Sequence, residues 1–141
     1  MIKLQTQSDP KGCVSACIAM LLNRPVEEVT AHFHGDYING CRTACHYLTS
    51  HGVRLVAGDP EGVIDWDRTF LLGVPSLNLP GIMHQIIVTT YNYEIKVFDP
   101  NEGYFGRKFY SEIIEPGATA LLGFRIDYEI IWCPAMGEDA S

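Results

Sequence analysis

From Gly12 to Asn23 no residue carries a charge, and Val14, Cys17, Ile18, Leu21 and Leu22 recur at helical spacing with Ala16, Ala19 and Met20 filling the other side. A helix apolar nearly all round belongs in a core. Asp9, Pro10 and Gly12 are turn formers ahead of it, and Asn23-Arg24-Pro25 breaks it at the far end. Pro25 followed by Val26, Glu27, Glu28 and Val29 reads as the first turn of a second helix, ending by His34-Gly35. A third helix is expected from Asn39 or Gly40 to Gly52, with Cys41, Ala44, Cys45 and Leu48 inward and Arg42, Thr43 and His46 outward.

Val53 to Val56 then reads as a short strand and Gly58 to Gly62 as a loop, while Asp65 to Arg68 fits a helical turn or a loop equally. From Thr69 onward the period changes. Phe70 to Leu72, Ser76 to Leu79, His84 to Thr90 and Glu94 to Asp99 are rich in β-branched, aromatic and leucine residues and are broken by Gly73, Pro75, Pro80 and Gly81. A turn over Pro100 to Gly103, a short helix over Phe109 to Ile114, a Pro116-Gly117 turn and one or two strands over Ala120 to Trp132 complete the pattern, with MGEDAS as a frayed tail. Ile2 to Gln5 is either a short strand or an extended arm. Helices first and an antiparallel sheet afterwards is the α+β arrangement.

The 141 residues, 47% of them hydrophobic, suffice for one domain with a real core, spanning residues 1–141. A net charge of -7 without a basic stripe argues against nucleic acid as a partner. The N-terminus lacks a basic region followed by an apolar stretch, and no uncharged apolar run approaches ~18 residues, so no signal peptide or membrane span is indicated and a cytoplasmic location is expected. Five cysteines, an odd number without framework spacing, favour reduced thiols.

The same pattern sets Cys13 at the start of the buried helix. Unpaired backbone N–H groups and the positive end of the macrodipole lie there, and both favour a thiolate over a thiol. Gln7, six residues earlier, is placed to bring a side-chain amide donor over the sulfur. A nucleophile with its charge stabilised and a donor for an oxyanion are two parts that acyl transfer through cysteine requires. The plainer alternative, a small hydrophobe at a helix end, describes Cys17 well and Cys13 less well, because a glycine and a turn precede Cys13.

A cysteine nucleophile also needs a base and an acceptor that orients the base. His32, His34, His46 and His51 read as surface residues, whereas His84 opens a strand directly after the Pro80-Gly81 turn. The following strand ends at Asp99. A two-residue loop at Tyr91-Asn92 sets His84 opposite Asp99, and a loop at Asn92-Tyr93 makes them diagonal neighbours on one face; a three-residue loop would separate them. Asn101 is a second candidate orienter, since an amide oxygen also accepts from a ring N–H. Cys41, Cys45 and His46 hold candidate metal ligands, but cysteines four apart on one helix do not close a tetrahedral site, and packing explains them more simply. No metal or cofactor is expected.

The run Gln7-Ser8-Asp9-Pro10-Lys11-Gly12-Cys13-Val14-Ser15-Ala16-Cys17-Ile18-Ala19-Met20-Leu21, followed by a strand opening with His84 and by Val97-Phe98-Asp99-Pro100, resembles the papain-like leader peptidases fused to bacteriocin-exporting ABC transporters and their stand-alone bacterial relatives. The similarity covers nearly the whole chain in order and spacing. It implies a helical half packed on an antiparallel sheet with the active site between them. It also implies that Cys13 is the nucleophile, His84 the general base and acid, Asp99 its orienter, and Gln7 with the Cys13 backbone N–H the oxyanion hole. The family carries aspartate before the cysteine and glycine after it, where this chain has Gly12 and Val14. The expected function is cleavage of an amide bond in a peptide or protein substrate through a Cys13 acyl-enzyme. Glutamine deamidation or cross-linking on the same site is an alternative, as is a catalytically silent peptide-binding module.

Overall fold

The computed structural model describes residues 1–59 and 62–137. Its centre is α1 (Cys13–Leu22), in which every residue from Val14 to Leu22 is buried. The absence of charge follows from this position, since each ionised group there would need a buried partner. Asn23, in the left-handed region at φ 53°, ends the helix by returning its N–H to Met20 and Ala19.

After Pro25 the chain runs through α2 (Val26–Val29), a π-turn (Thr30–His34) and α3 (Gly35–Ile38). The junction residues Val29, Thr30, His34 and Gly35 all have helical dihedrals, so the three pieces form one continuous coil. The expected stop at His34-Gly35 is therefore overridden. Val29, Phe33 and Tyr37 keep the apolar spacing across it, and the completely buried Phe33 stacks on Tyr37 and tilts against Tyr47. The next helix, α4 (Ala44–Ser50), is shorter than expected, because the Thr43 hydroxyl accepts from His46 N at 3.1 Å and caps it there. Cys41 lies outside it, exposed, so the Cys41–Cys45 helical spacing does not exist.

The strands are β1 (Arg54–Ala57), β2 (Thr69–Pro75), β3 (Met83–Thr89), β4 (Lys96–Phe98) and β7 (Arg125–Trp132), forming an antiparallel sheet of order β1-β7-β2-β3-β4. The pleat sorts their side chains between two cores. Leu71, Ile87 and Ile130 pack against α1, α2 and α4. Phe70, Leu72, Val74, Ile86, Val88, Val97 and Ile126 form the opposite core with Tyr110, Leu121 and Phe124. The chain is α+β with an antiparallel main sheet, as the order of patterns predicts.

Several sequence expectations are corrected. Ser76 to Leu79 is a turn, held by the Ser76 hydroxyl accepting from Asn78 N and Leu79 N, because Pro75 and Pro80 bracket too short a run for a strand. Phe109 to Ile114 is not helical; Phe109–Tyr110 is β5, paired in parallel with β6 (Ala118–Thr119). Residues 65–68 contain a bend with Asp67 at φ 59°. Ile2 to Gln5 is an arm without strand pairing, and Pro134–Gly137 forms α5, so Met136 and Gly137 do not fray. The expectations for residues 60–61 and 138–141 lie outside the described residues. Among the described residues no helix is long and apolar enough to cross a membrane.

The arm is tied to the α1–α2 link and to the segment that follows β4. Gln5 brackets the α1–α2 link, its Nε2 donating to Arg24 O at 2.7 Å and its Oε1 accepting from Val26 N at 2.8 Å. The Thr6 hydroxyl donates to Glu102 O at 2.7 Å, and Gln7 N donates to Pro100 O at 2.9 Å.

Candidate active site

Cys13 is the first residue of α1 and is partly exposed, so its sulfur sits where the first N–H groups of the helix have no intrahelical partner. The turn before it is built on Asp9. Its carbonyl accepts from Gly12 N at 2.9 Å and from Gln7 Nε2 at 2.8 Å, and its carboxylate accepts from Lys11 N at 2.8 Å. A Cβ at Gly12 would lie 3.1 Å from Asp9 O and 3.2 Å from Asp9 Cβ, so this tight turn favours glycine. Gln7 is buried. Its Nε2 has two hydrogens, and the bond to Asp9 leaves one for a further acceptor.

His84 and Asp99 meet through the β3–β4 ladder. Ile87 pairs with Phe98, Val88 with Val97 and Thr89 with Lys96, which is the register that makes the two residues diagonal neighbours on one face. His84 Nε2 lies 2.6 Å from Asp99 Oδ1, with His84 6% and Asp99 0% exposed. Asp99 also accepts from Asn101 N at 2.9 Å and Tyr110 N at 2.7 Å, so both its oxygens are fixed. A carboxylate held by two backbone donors has no freedom to leave the ring. The Asn101 amide lies 3.4 Å from the same ring nitrogen; half a turn would set its Oδ1, which lacks a partner, against the Nε2 proton.

Cys13 and His84 line the same cleft, and the thiol acts on the ring's protonation. Burial opposes the ring's charge, but the hydrogen bond to Asp99 and the interactions with Cys13 and the Asp99 charge outweigh it and raise the His84 pKa from 6.5 to about 9. Cys17, one turn into α1, differs in every respect. It is fully buried, its thiol contacts Gln85 O at 3.4 Å, and burial, then the negative charge of Cys13 and Asp99, push its pKa up.

Cys13 and His84 open into a cleft of about 330 Å³, whose other walls include Val14, Tyr37, Met83, Arg125 and Asp127. Burial, then the charges of Cys13 and Asp127, push the Tyr37 phenol up. Gly73 forms part of the lining, since a Cβ there would sit 3.0 Å from both Arg125 Nη2 and Asp127 Oδ2. Asp127 is held by Arg125 Nε at 2.6 Å and Gln85 Nε2 at 3.0 Å. A larger cavity of about 390 Å³, walled by Ile64, Trp66, Ile95, Leu121 and Phe124, contains no cysteine or histidine. It offers shape without nucleophilic chemistry.

The structure thus joins His84 to Asp99, sets His84 and Cys13 on one cleft, and holds Gln7 against the turn that carries Cys13. His32 and His46 are exposed and His51 is half-buried, whereas His34 departs from the surface position expected of it. It is 9% exposed, and its Nδ1 lies 3.2 Å from the fully buried Ser15 hydroxyl. The signal that could have found it is the Val29, Phe33, Tyr37 spacing, which carries the helix past Gly35. Tyr37 and Asp127 are cleft residues that the sequence reading missed; Asp127 enters because β7 bulges between its pairings to Leu71 and Leu72. Comparisons with family models, with curated proteins and with solved structures find no match to this chain.

Proposed function

We propose that this chain is a papain-like cysteine hydrolase that cleaves an amide bond of a peptide or protein substrate. The observation that carries the reading is the His84 ring, fixed by Asp99 through Nε2 and sharing one cleft with Cys13. With the Nε2 proton committed to Asp99, Nδ1 of the neutral ring is free to take the thiol proton, and the raised His84 pKa favours the resulting thiolate–imidazolium pair.

In this reading the Cys13 thiolate attacks the substrate carbonyl carbon. The oxyanion is received by the Cys13 backbone N–H and the second N–H of Gln7. His84 then gives its proton to the leaving amine as the C–N bond breaks, leaving a thioester. Water, deprotonated by His84, attacks that thioester and releases the acid and the thiol. Asp99 stays ionised throughout and holds the ring in the required tautomer.

The test is the pH dependence of iodoacetamide alkylation at each cysteine, read by peptide mass spectrometry on the wild type and on His84→Ala. The expected result is selective modification of Cys13 in mildly acid solution, shifted to alkaline pH in His84→Ala. Reaction of Cys13 only in the ordinary thiol range, indifferent to His84→Ala, overturns the proposal.

A further inference from the structure

Behind the nucleophile lies a second line of polar groups that the proposed chemistry does not use. Ser15, on the first turns of α1, is completely buried. A helical serine hydroxyl commonly turns back to a carbonyl one turn earlier. Here it faces His34 Nδ1 at 3.2 Å instead. The other nitrogen of His34, Nε2, is buried without a hydrogen-bond partner among the described residues, and the Asp9 carboxylate lies 3.7 Å from it through Oδ1.

The electrostatics select one proton arrangement. A bare Nε2 lone pair facing a carboxylate is repulsive, whereas an Nε2–H facing it is attractive. The proton therefore belongs on Nε2, leaving Nδ1 to accept from the Ser15 hydroxyl. All three groups are then oriented in series, Ser15 to His34 to Asp9. Ser15 is too enclosed to be a second nucleophile.

Asp9 gives this line its importance. Its carbonyl holds Gln7 Nε2 at 2.8 Å and Gly12 N at 2.9 Å, so any displacement of Asp9 moves the Gln7 amide and the residue that precedes Cys13. The π-turn Thr30–His34 is what lets the coil bury Phe33 in the core while turning His34 toward α1. Such turns frequently occur at functional sites.

We infer that Ser15, His34 and Asp9 form a positioning relay that fixes the Gln7-bearing turn on the oxyanion side of the Cys13 site. These are positioning residues, not catalytic ones. The geometric part stands alone, while its consequence for catalysis rests on the function proposed above.

Two readouts test the inference. The first is the long-range 1H–15N spectrum of the histidine rings in 15N-labelled protein at mildly alkaline pH, with His34→Gln used to assign the signal. His34 should carry its proton on Nε2 in the wild type and move toward a mixture of tautomers in Asp9→Asn. A proton on Nδ1, or a ring signal indifferent to Asp9→Asn, overturns the relay.

The second readout compares two reactions of Cys13. Acylation by p-nitrophenyl acetate passes through an oxyanion, whereas alkylation by iodoacetamide does not. Asp9→Asn keeps the backbone carbonyl and an acceptor for Lys11 N, and it lies on a partly exposed turn, so the fold is expected to persist. Acylation should fall by about tenfold with alkylation unchanged. His34→Gln should do the same, and the double variant should be no worse than either single one. Equal loss in both reactions, or no loss in either, overturns the positioning role. If wild-type Cys13 neither acylates nor alkylates selectively, the hydrolase reading fails, and the ring spectra still decide the relay.

Discussion

Replacing Asp99 by asparagine separates the electrostatic role of the pair from its structural role. In the folded protein the His84 pKa is raised from 6.5 to about 9, with burial opposing the charge and the bond to Asp99 and the interaction with Cys13 prevailing. Between those values the folded state holds a proton that the unfolded state has lost, so stability falls as pH rises. The contribution is fully present below the unfolded value and is gone above about 9. At about 1.4 kcal/mol for each pH unit, the whole effect is roughly 3 kcal/mol. Asp99→Asn removes the negative charge and should erase most of this slope. It should also impose a loss of about 1–3 kcal/mol that does not vary with pH, since one amide oxygen cannot accept from His84, Asn101 N and Tyr110 N as two carboxylate oxygens do. Urea unfolding of both proteins, compared between about pH 6 and about pH 10, isolates the first part as the difference of differences. Parallel stability curves for wild type and Asp99→Asn over that range would refute the account of the raised His84 pKa.

Other outcomes follow from separate parts of the molecule. Gln7→Ala should reduce turnover of an acyl substrate by ~10²–10³, the loss measured for a single oxyanion donor, without slowing iodoacetamide alkylation of Cys13. Cys17 and Cys133, both buried with pKa values pushed up, should resist alkylation in the native protein while the exposed Cys41 reacts; peptide mapping with and without urea reads this directly. Ile18→Ala, at a completely buried position of α1, should cost about 2–5 kcal/mol in denaturant unfolding. Gly58→Ala should cost about 1–3 kcal/mol, because the new Cβ would run into Ile126 Cγ2 and the Ile126 carbonyl oxygen, which is backbone and cannot swing away.

The uncharged stretch Gly12 to Asn23 made α1 legible, because a charge-free, apolar-all-round helix has only one place to go. His84 and Asp99 were legible through the period of two, which fixes which side chains share a face without fixing the loop between the strands. The observed register was one of the two allowed by that argument. His34 was not legible by punctuation, since glycine ordinarily signals an end; tertiary packing of Phe33 and Tyr37 carries the coil through Gly35 to Ile38. Phe109 to Ile114 failed for a related reason. Its apolar residues serve a two-residue parallel pairing and the bond from Tyr110 N to Asp99, both set by distant parts of the chain. Arg125 and Asp127 reach the cleft through a strand irregularity, and no local pattern announces a bulge.

The N-terminal arm has a consequence for the order in which the protein becomes competent. Gln7 is pinned by Pro100 O, Thr6 by Glu102 O, and the N-terminal ammonium donates to Ala135 O at 2.6 Å. The turn before Cys13 therefore takes its place only when residues as far as 96 positions along the chain have taken theirs, a contact whose closure is slow because so much chain lies between. Before that closure Cys13 and His84 exist without a shared cleft, so their arrangement belongs to the folded molecule and to neither segment alone.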